Sequence, residues 1–195
     1  MAAGREERFR EDLASEIREK AGAVRMLFLD VDGVLTDGGV IYTGDDQESK
    51  RFHVRDGAGI KIAQGAGVEI GIITGRASAV VSRRAEELGI ERVIQGSLEK
   101  RLSLDRLLSD GAYALEEVAY VGDDLLDLPV MGAVGFSACP ADAHDFVRGA
   151  ADYVCRKRGG GGAVREVIDL ILEAKGVLKD IERKFLEGGD AECAE

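Results

Sequence analysis

Leu27-Phe28-Leu29-Asp30-Val31-Asp32-Gly33-Val34-Leu35-Thr36 is an apolar run that breaks into two aspartates on alternate residues, then a glycine. Strand side chains alternate faces, so Asp30 and Asp32 share a side only while the strand persists. Gly33 indicates that the strand stops here and that the backbone bends around something small. Two carboxylates at the carboxyl end of a buried strand form a hard, oxygen-rich site suited to magnesium and phosphate. The same residues also read as a strand ending in a solvated acidic turn, and the rest of the chain decides between the two.

Outward from this run, apolar stretches predict strands over 25–30, 68–73, 92–95, 117–121, 133–137 and 152–155. Helical patterns lie between them, over 57–66, 77–89, 99–110, 124–131, 142–149 and 162–174. Regular alternation implies right-handed crossovers, hence an α/β protein with a doubly wound, mostly parallel, Rossmann-like sheet. Val40-Ile41-Tyr42 and Lys50-Arg51-Phe52-His53-Val54 flank the turn-like Thr43-Gly44-Asp45-Asp46, so a β-hairpin over about 40–54 follows the first strand. Three units result: an N-terminal helical extension over 1–24, the main domain over 25–175, and a helical tail over 176–195. In the extension, Phe9, Leu13 and Ile17 have amphipathic-helix spacing.

The chain of 195 residues suits one domain with a substantial core. A net charge of −11 argues against nucleic-acid or anionic-membrane binding, although cations inside a cleft can still admit a phosphorylated substrate. Cys139, Cys155 and Cys193 form no CxxC pair, which fits a reducing compartment, and no apolar stretch is long enough to span a bilayer. A cytoplasmic enzyme is the expectation.

Ligands of a doubly wound sheet sit beyond the carboxyl ends of its strands, so the residues there are informative. One strand ends in Asp30 and Asp32, the next central one in Thr74-Gly75-Arg76, and another in Gly122-Asp123-Asp124, with Asp127 a helical turn later. Lys100 lies at the start of the helix over 99–110. Each residue alone has a plain structural explanation. Thr74 could cap a helix, Lys100 could be solvated in a first turn, and Asp124 could be an N-cap or orient a metal shell.

Together these segments resemble, in order, the four motifs of the haloacid dehalogenase-like phosphotransferase superfamily. The resemblance implies that Asp30 is the nucleophile that becomes an aspartyl-phosphate, and that Asp32 is the general acid and base. It also implies Mg²⁺ held by Asp30, the backbone carbonyl of Asp32, and Asp123. Thr74 and Lys100 would bind the phosphoryl group, and Asp124 and Asp127 would orient the metal shell or Lys100.

Neither the Asp30–Thr74 interval nor the Thr74–Asp123 interval can hold a cap domain. An open site needs some other cover, and hairpins pairing between subunits could supply it. Asp37-Gly38, the hairpin into Phe52-His53-Val54-Arg55-Asp56-Gly57, the run Gly122–Met131 and Gly161-Gly162-Ala163-Val164-Arg165-Glu166 are similar to the 3-deoxy-D-manno-octulosonate (KDO) 8-phosphate phosphatase family. That resemblance implies a homotetramer built through the hairpins, acting on a sugar-acid phosphate in lipopolysaccharide synthesis. Arg76 and Arg55 are the candidate cations for the substrate carboxylate or phosphate. His53 reads as a substrate contact or a half-exposed strand residue, His144 as surface helix, and Gly159–Gly162 as a hinge. Two alternatives stand beside this reading. One is a nonulosonate 9-phosphate phosphatase, the other a non-catalytic module partnering a cytidylyltransferase.

Overall fold

The computed structural model describes residues 15–44 and 47–188. Its centre is a parallel sheet in the order β5-β4-β1-β6-β7-β8. The strands are β1 (Met26–Leu29), β4 (Glu69–Ile73), β5 (Arg92–Ile94), β6 (Val118–Val121), β7 (Phe136–Cys139) and β8 (Tyr153–Val154). A separate antiparallel hairpin pairs β2 (Ile41–Tyr42) with β3 (Glu48–Ser49).

Alternation within the strands splits the core in two. Leu27, Leu29, Ala119, Val121, Ile70 and Ile72 face one side, with α1 (Ser15–Ala23), α2 (Val54–Gly65), α3 (Ala79–Glu87) and α7 (Ala163–Ala174). Met26, Phe28, Val118, Tyr120 and Ile73 face the other, with α4 (Lys100–Leu107), α5 (Leu128–Met131) and α6 (Asp145–Ala150). Every residue of β1 is fully buried. At about 1.5–3 kcal/mol for each large apolar side chain, this strand anchors both cores.

The chain leaves β1 toward β4 and β5, then returns to the other side of β1 with β6. Strand order therefore reverses between β1 and β6, the place where such sheets open a crevice at their carboxyl edge. Asp30 continues the ladder by donating its N–H to Val121 at 3.0 Å before the chain turns away.

Several boundaries differ from the sequence reading for local reasons. The first helix after the hairpin starts at Val54 because the His53 carbonyl already accepts from Asp56 and Gly57. Residues 124–127 form a tight turn capped by Asp124, whose Oδ1 accepts from the Leu125 N–H at 2.7 Å. β7 begins at Phe136, since Gly132, Ala133 and Val134 still donate to the carbonyls of Leu128 and Val130 in α5. In the N-terminal extension, Ile17 and Ala21 pack on the core, and Lys20 donates to Asp152 at 2.7 Å; Phe9 and Leu13 lie outside the described residues. The last described helix, α8 (Leu178–Leu186), docks through Leu178 and Ile181. Cys139 and Cys155 are buried free thiols, and Cys193 lies outside the described residues.

Candidate active site

The turn after β1 is closed by Thr36. Its hydroxyl donates to the Val31 carbonyl at 3.2 Å and accepts from the N–H groups of Gly33 and Gly38. Gly33 sits at φ 91°, and a Cβ there would lie 2.1 Å from Asp123 Oδ2. Only glycine meets both demands, a left-handed backbone and a carboxylate pressed against it.

Beyond this turn, ligand atoms of Asp30, Asp123 and Asp127 come within 4.8 Å of one another. The Lys100 ammonium lies among them, 3.0 Å from Asp30 Oδ2 and 2.6 Å from Asp127 Oδ1, with its side chain only 3% exposed. Asp127 is fully engaged. Its Oδ1 also accepts from the Tyr120 hydroxyl at 2.6 Å, and its Oδ2 from the N–H groups of Asp123 and Asp124. Asp30 Oδ1 and Asp123 Oδ1 are buried and carry no hydrogen bond.

Two buried carboxylates thus share one ammonium, with a third, partly exposed, close by. Burial pushes the Asp30 carboxyl up to about 6, with Lys100 opposing the rise and Asp127 adding to it. Burial, then Asp30 and Asp127, push Asp123 to about 8. Burial disfavours the Lys100 ammonium, yet Asp30 and Asp127 outweigh it and hold its pKa above the ordinary value. The cluster is short of positive charge and offers two unengaged carboxylate oxygens, which a small divalent cation with oxygen preference fits.

The Asp32 carboxylate is not part of that cluster. It turns toward the hairpin, where Lys50 hydrogen-bonds its Oδ1 and Arg76 Nε lies 3.9 Å from its Oδ2. Arg76 also reaches Glu48 Oε2 at 3.2 Å. The structure therefore brings Asp30, Asp32, Asp123, Lys100 and Arg76 to the β1–β6 crevice and the hairpin beside it. Thr74 is buried at the end of β4, and Ser78, not Thr74, stands at the start of α3. Arg55 is exposed on the first turn of α2 and enters none of the ion pairs among the described residues, so nothing places it in the crevice.

Some expectations change. The glycine run is no hinge. A Cβ at Gly159 would lie 1.8 Å from the Gly33 carbonyl oxygen, and Gly160 donates to the Val34 carbonyl at 3.0 Å. Asp142 and Glu166 pin the same segment through the N–H groups of Gly159, Arg156 and Lys157. His53 is half-buried beside Gly162 with no hydrogen bond on Nδ1, and His144 caps α6 by accepting from the Phe146 N–H at 3.1 Å. Sequence reasoning missed Lys50, Glu48 and Tyr120. The first two lie in a charged hairpin stretch, and Tyr120 reads as one more apolar strand residue.

A family profile of haloacid dehalogenase-like hydrolases matches residues 90–168. The chain is 49% identical over 169 residues to the 3-deoxy-D-manno-octulosonate 8-phosphate phosphatase of Escherichia coli K12, covering 86% of this chain and 89% of that protein. Among solved structures, a probable YrbI family phosphatase from Pseudomonas syringae superposes with a TM-score of 0.87 at 44% identity, covering 90% of this chain and 99% of that one. The Moraxella catarrhalis 3-deoxy-D-manno-octulosonate 8-phosphate phosphatase, solved with magnesium, phosphate and KDO, superposes at 0.85 with 41% identity, covering 88% and 98%. By this likeness over most of its length, the chain belongs to the 3-deoxy-D-manno-octulosonate 8-phosphate phosphatase family of haloacid dehalogenase-like hydrolases.

Proposed function

We propose that this protein is a Mg²⁺-dependent phosphatase that converts 3-deoxy-D-manno-octulosonate 8-phosphate to KDO and inorganic phosphate. The observation that carries the reading is the cluster of Asp30, Asp123 and Asp127, with Lys100 paired to buried Asp30 and Asp127 and Asp30 Oδ1 left unengaged. Asp30 attacks phosphorus in line, the ester P–O bond breaks, and an aspartyl-phosphate forms. Asp32 gives a proton to the departing alkoxide and then takes one from the water that hydrolyses the intermediate. Lys100 keeps Asp30 aimed and, with Thr74, holds the phosphoryl oxygens. Bound Mg²⁺, held by Asp30, Asp123 and the Asp32 backbone carbonyl, would offset the phosphate's negative charge. Arg76, half-exposed beside Asp32 and Glu48, serves the sugar acid.

Val40, Ile41 and Tyr42 are exposed on the hairpin, and Tyr42 is 74% exposed. This apolar strip supports assembly into a homotetramer through the hairpins, which would close the uncapped crevice. No described helix is long and apolar enough to cross a membrane, and a cytoplasmic location fits the reading.

The test is phosphate release from 3-deoxy-D-manno-octulosonate 8-phosphate and from a nonulosonate 9-phosphate, each with MgCl₂ and with EDTA. The expected result is metal-dependent release with kcat/KM higher by roughly tenfold or more on the octulosonate. Preference for the nonulosonate would replace the substrate. No release from either would overturn the reading.

A further inference from the structure

Lys50 looks like an ordinary surface residue in Glu48-Ser49-Lys50-Arg51. In the fold its side chain is 2% exposed, with its ammonium bonded to Asp32 Oδ1 and 3.8 Å from Glu48 Oε1. Sequestering an ammonium carries a desolvation penalty that only nearby opposite charge offsets. Two-residue hairpin strands have no core of their own that calls for such a group. Its principal partner lies instead on the turn after β1.

Asp30 and Asp32 are two residues apart, yet their tasks are separate: one must meet phosphorus and the other the ester oxygen. A backbone turn alone does not fix two short side chains in such different directions. Here each has its own buried lysine. Lys100 draws Asp30 toward Asp127, and Lys50 draws Asp32 toward the hairpin and Arg76.

We infer that Lys50 is a positioning residue for the reaction, holding the Asp32 carboxyl on the hairpin side of the crevice, apart from the Asp30–Asp123 cluster. The inference rests on the phosphatase reading and deepens it. It also makes the hairpin part of the catalytic apparatus, since Glu48 supplies the second charge that seats Lys50.

The experiment is a double-mutant cycle. Turnover is measured for wild type, Lys50→Met, Asp32→Asn and the double variant, with Lys50→Gln as a second substitution that keeps a hydrogen-bond donor. Lys50→Met is expected to lower kcat by about 10- to 100-fold while KM moves by less than about threefold, with Lys50→Gln in between. In the Asp32→Asn background the same change should cost less than about twofold, because the group being positioned is already gone. Three results overturn the inference: wild-type kcat in both Lys50 variants, a raised KM with kcat intact, or equal losses in both backgrounds. The second would mark a direct substrate contact, and the third general damage to the fold. If Lys50→Met does not fold, Lys50→Gln decides on the same criteria. Wild type that releases no phosphate would remove the functional reading and this inference with it, whereas active wild type with indifferent Lys50 variants removes only the inference.

Discussion

Two charged groupings flank the turn after β1, and they are built in opposite ways. The cluster of Asp30, Asp123, Asp127 and Lys100 comes from the ends of β1 and β6, the turn after β6 and the start of α4, with Asp30, Asp127 and Lys100 buried and Asp123 partly exposed. The grouping of Asp32, Lys50, Glu48 and Arg76 is assembled by a hairpin folding back, and Arg76 leaves 46% of its side chain exposed. Enclosed charge is expensive and cannot be removed piecemeal, whereas half-open charge is screened and adjustable. In the proposed mechanism the first grouping carries the nucleophile and the metal site, and the second carries the general acid and base together with substrate handling.

The strongest way to test this division is Asp30→Asn. Turnover should fall by roughly 10⁴-fold or more, while folding and assembly survive because the near-isosteric amide fills the same space. Substantial remaining activity would end the nucleophilic assignment. Lys100→Met should strike the fold as well as the reaction. It leaves Asp30 and Asp127 buried without their cation, and denaturant melts should show a loss of about 3–5 kcal/mol.

A subtler difference concerns protons. Asp30 and Asp123 titrate near 6 and 8, above the ordinary value of 3.8, so the folded, metal-free chain holds protons that the unfolded chain releases. Its stability should therefore decline as pH climbs from about 4 to about 8, a sign opposite to that of a salt-bridged aspartate. Thermal melts in EDTA should show this decline, and MgCl₂ should raise the midpoint more at about pH 8 than at about pH 5. A midpoint insensitive to both pH and magnesium would contradict the enclosed-cluster account. Smallest is Arg76→Met on the hairpin side. Stability should change by less than about 1 kcal/mol, while KM for the sugar-acid phosphate rises by about tenfold, as steady-state kinetics would show.

The two groupings also differ in how far the primary structure revealed them. Asp30, Thr74 and Asp123 each lie at or just past the end of an apolar run, and strand–helix alternation alone gathers such ends on one edge of a sheet. Lys100 belonged to that edge by position, but its burial between Asp30 and Asp127 depends on tertiary packing. Lys50 and Glu48 could not be read, because nothing local says that the hairpin lies back over the crevice. The Gly159–Gly162 run was misread for a related reason. At Gly159 and Gly160 a side chain would collide with backbone at Gly33, Thr36 and Asp37, more than a hundred residues away along the chain, while Gly160 and Gly162 also sit in left-handed local backbone.

That seam between the glycine run and the nucleophile turn has its own consequence. Because Gly159 and Gly160 lie flush against backbone at Gly33, Thr36 and Asp37, the late part of the chain works as a template against which the early catalytic turn is moulded. Any methyl group added at Gly159 would push on the turn that carries Asp30 and Asp32, disarming the reaction without touching a reactive atom. The first catalytic motif is thus not a portable cassette: transplanted without its distant glycine counterpart, it would lose the shape that makes it reactive.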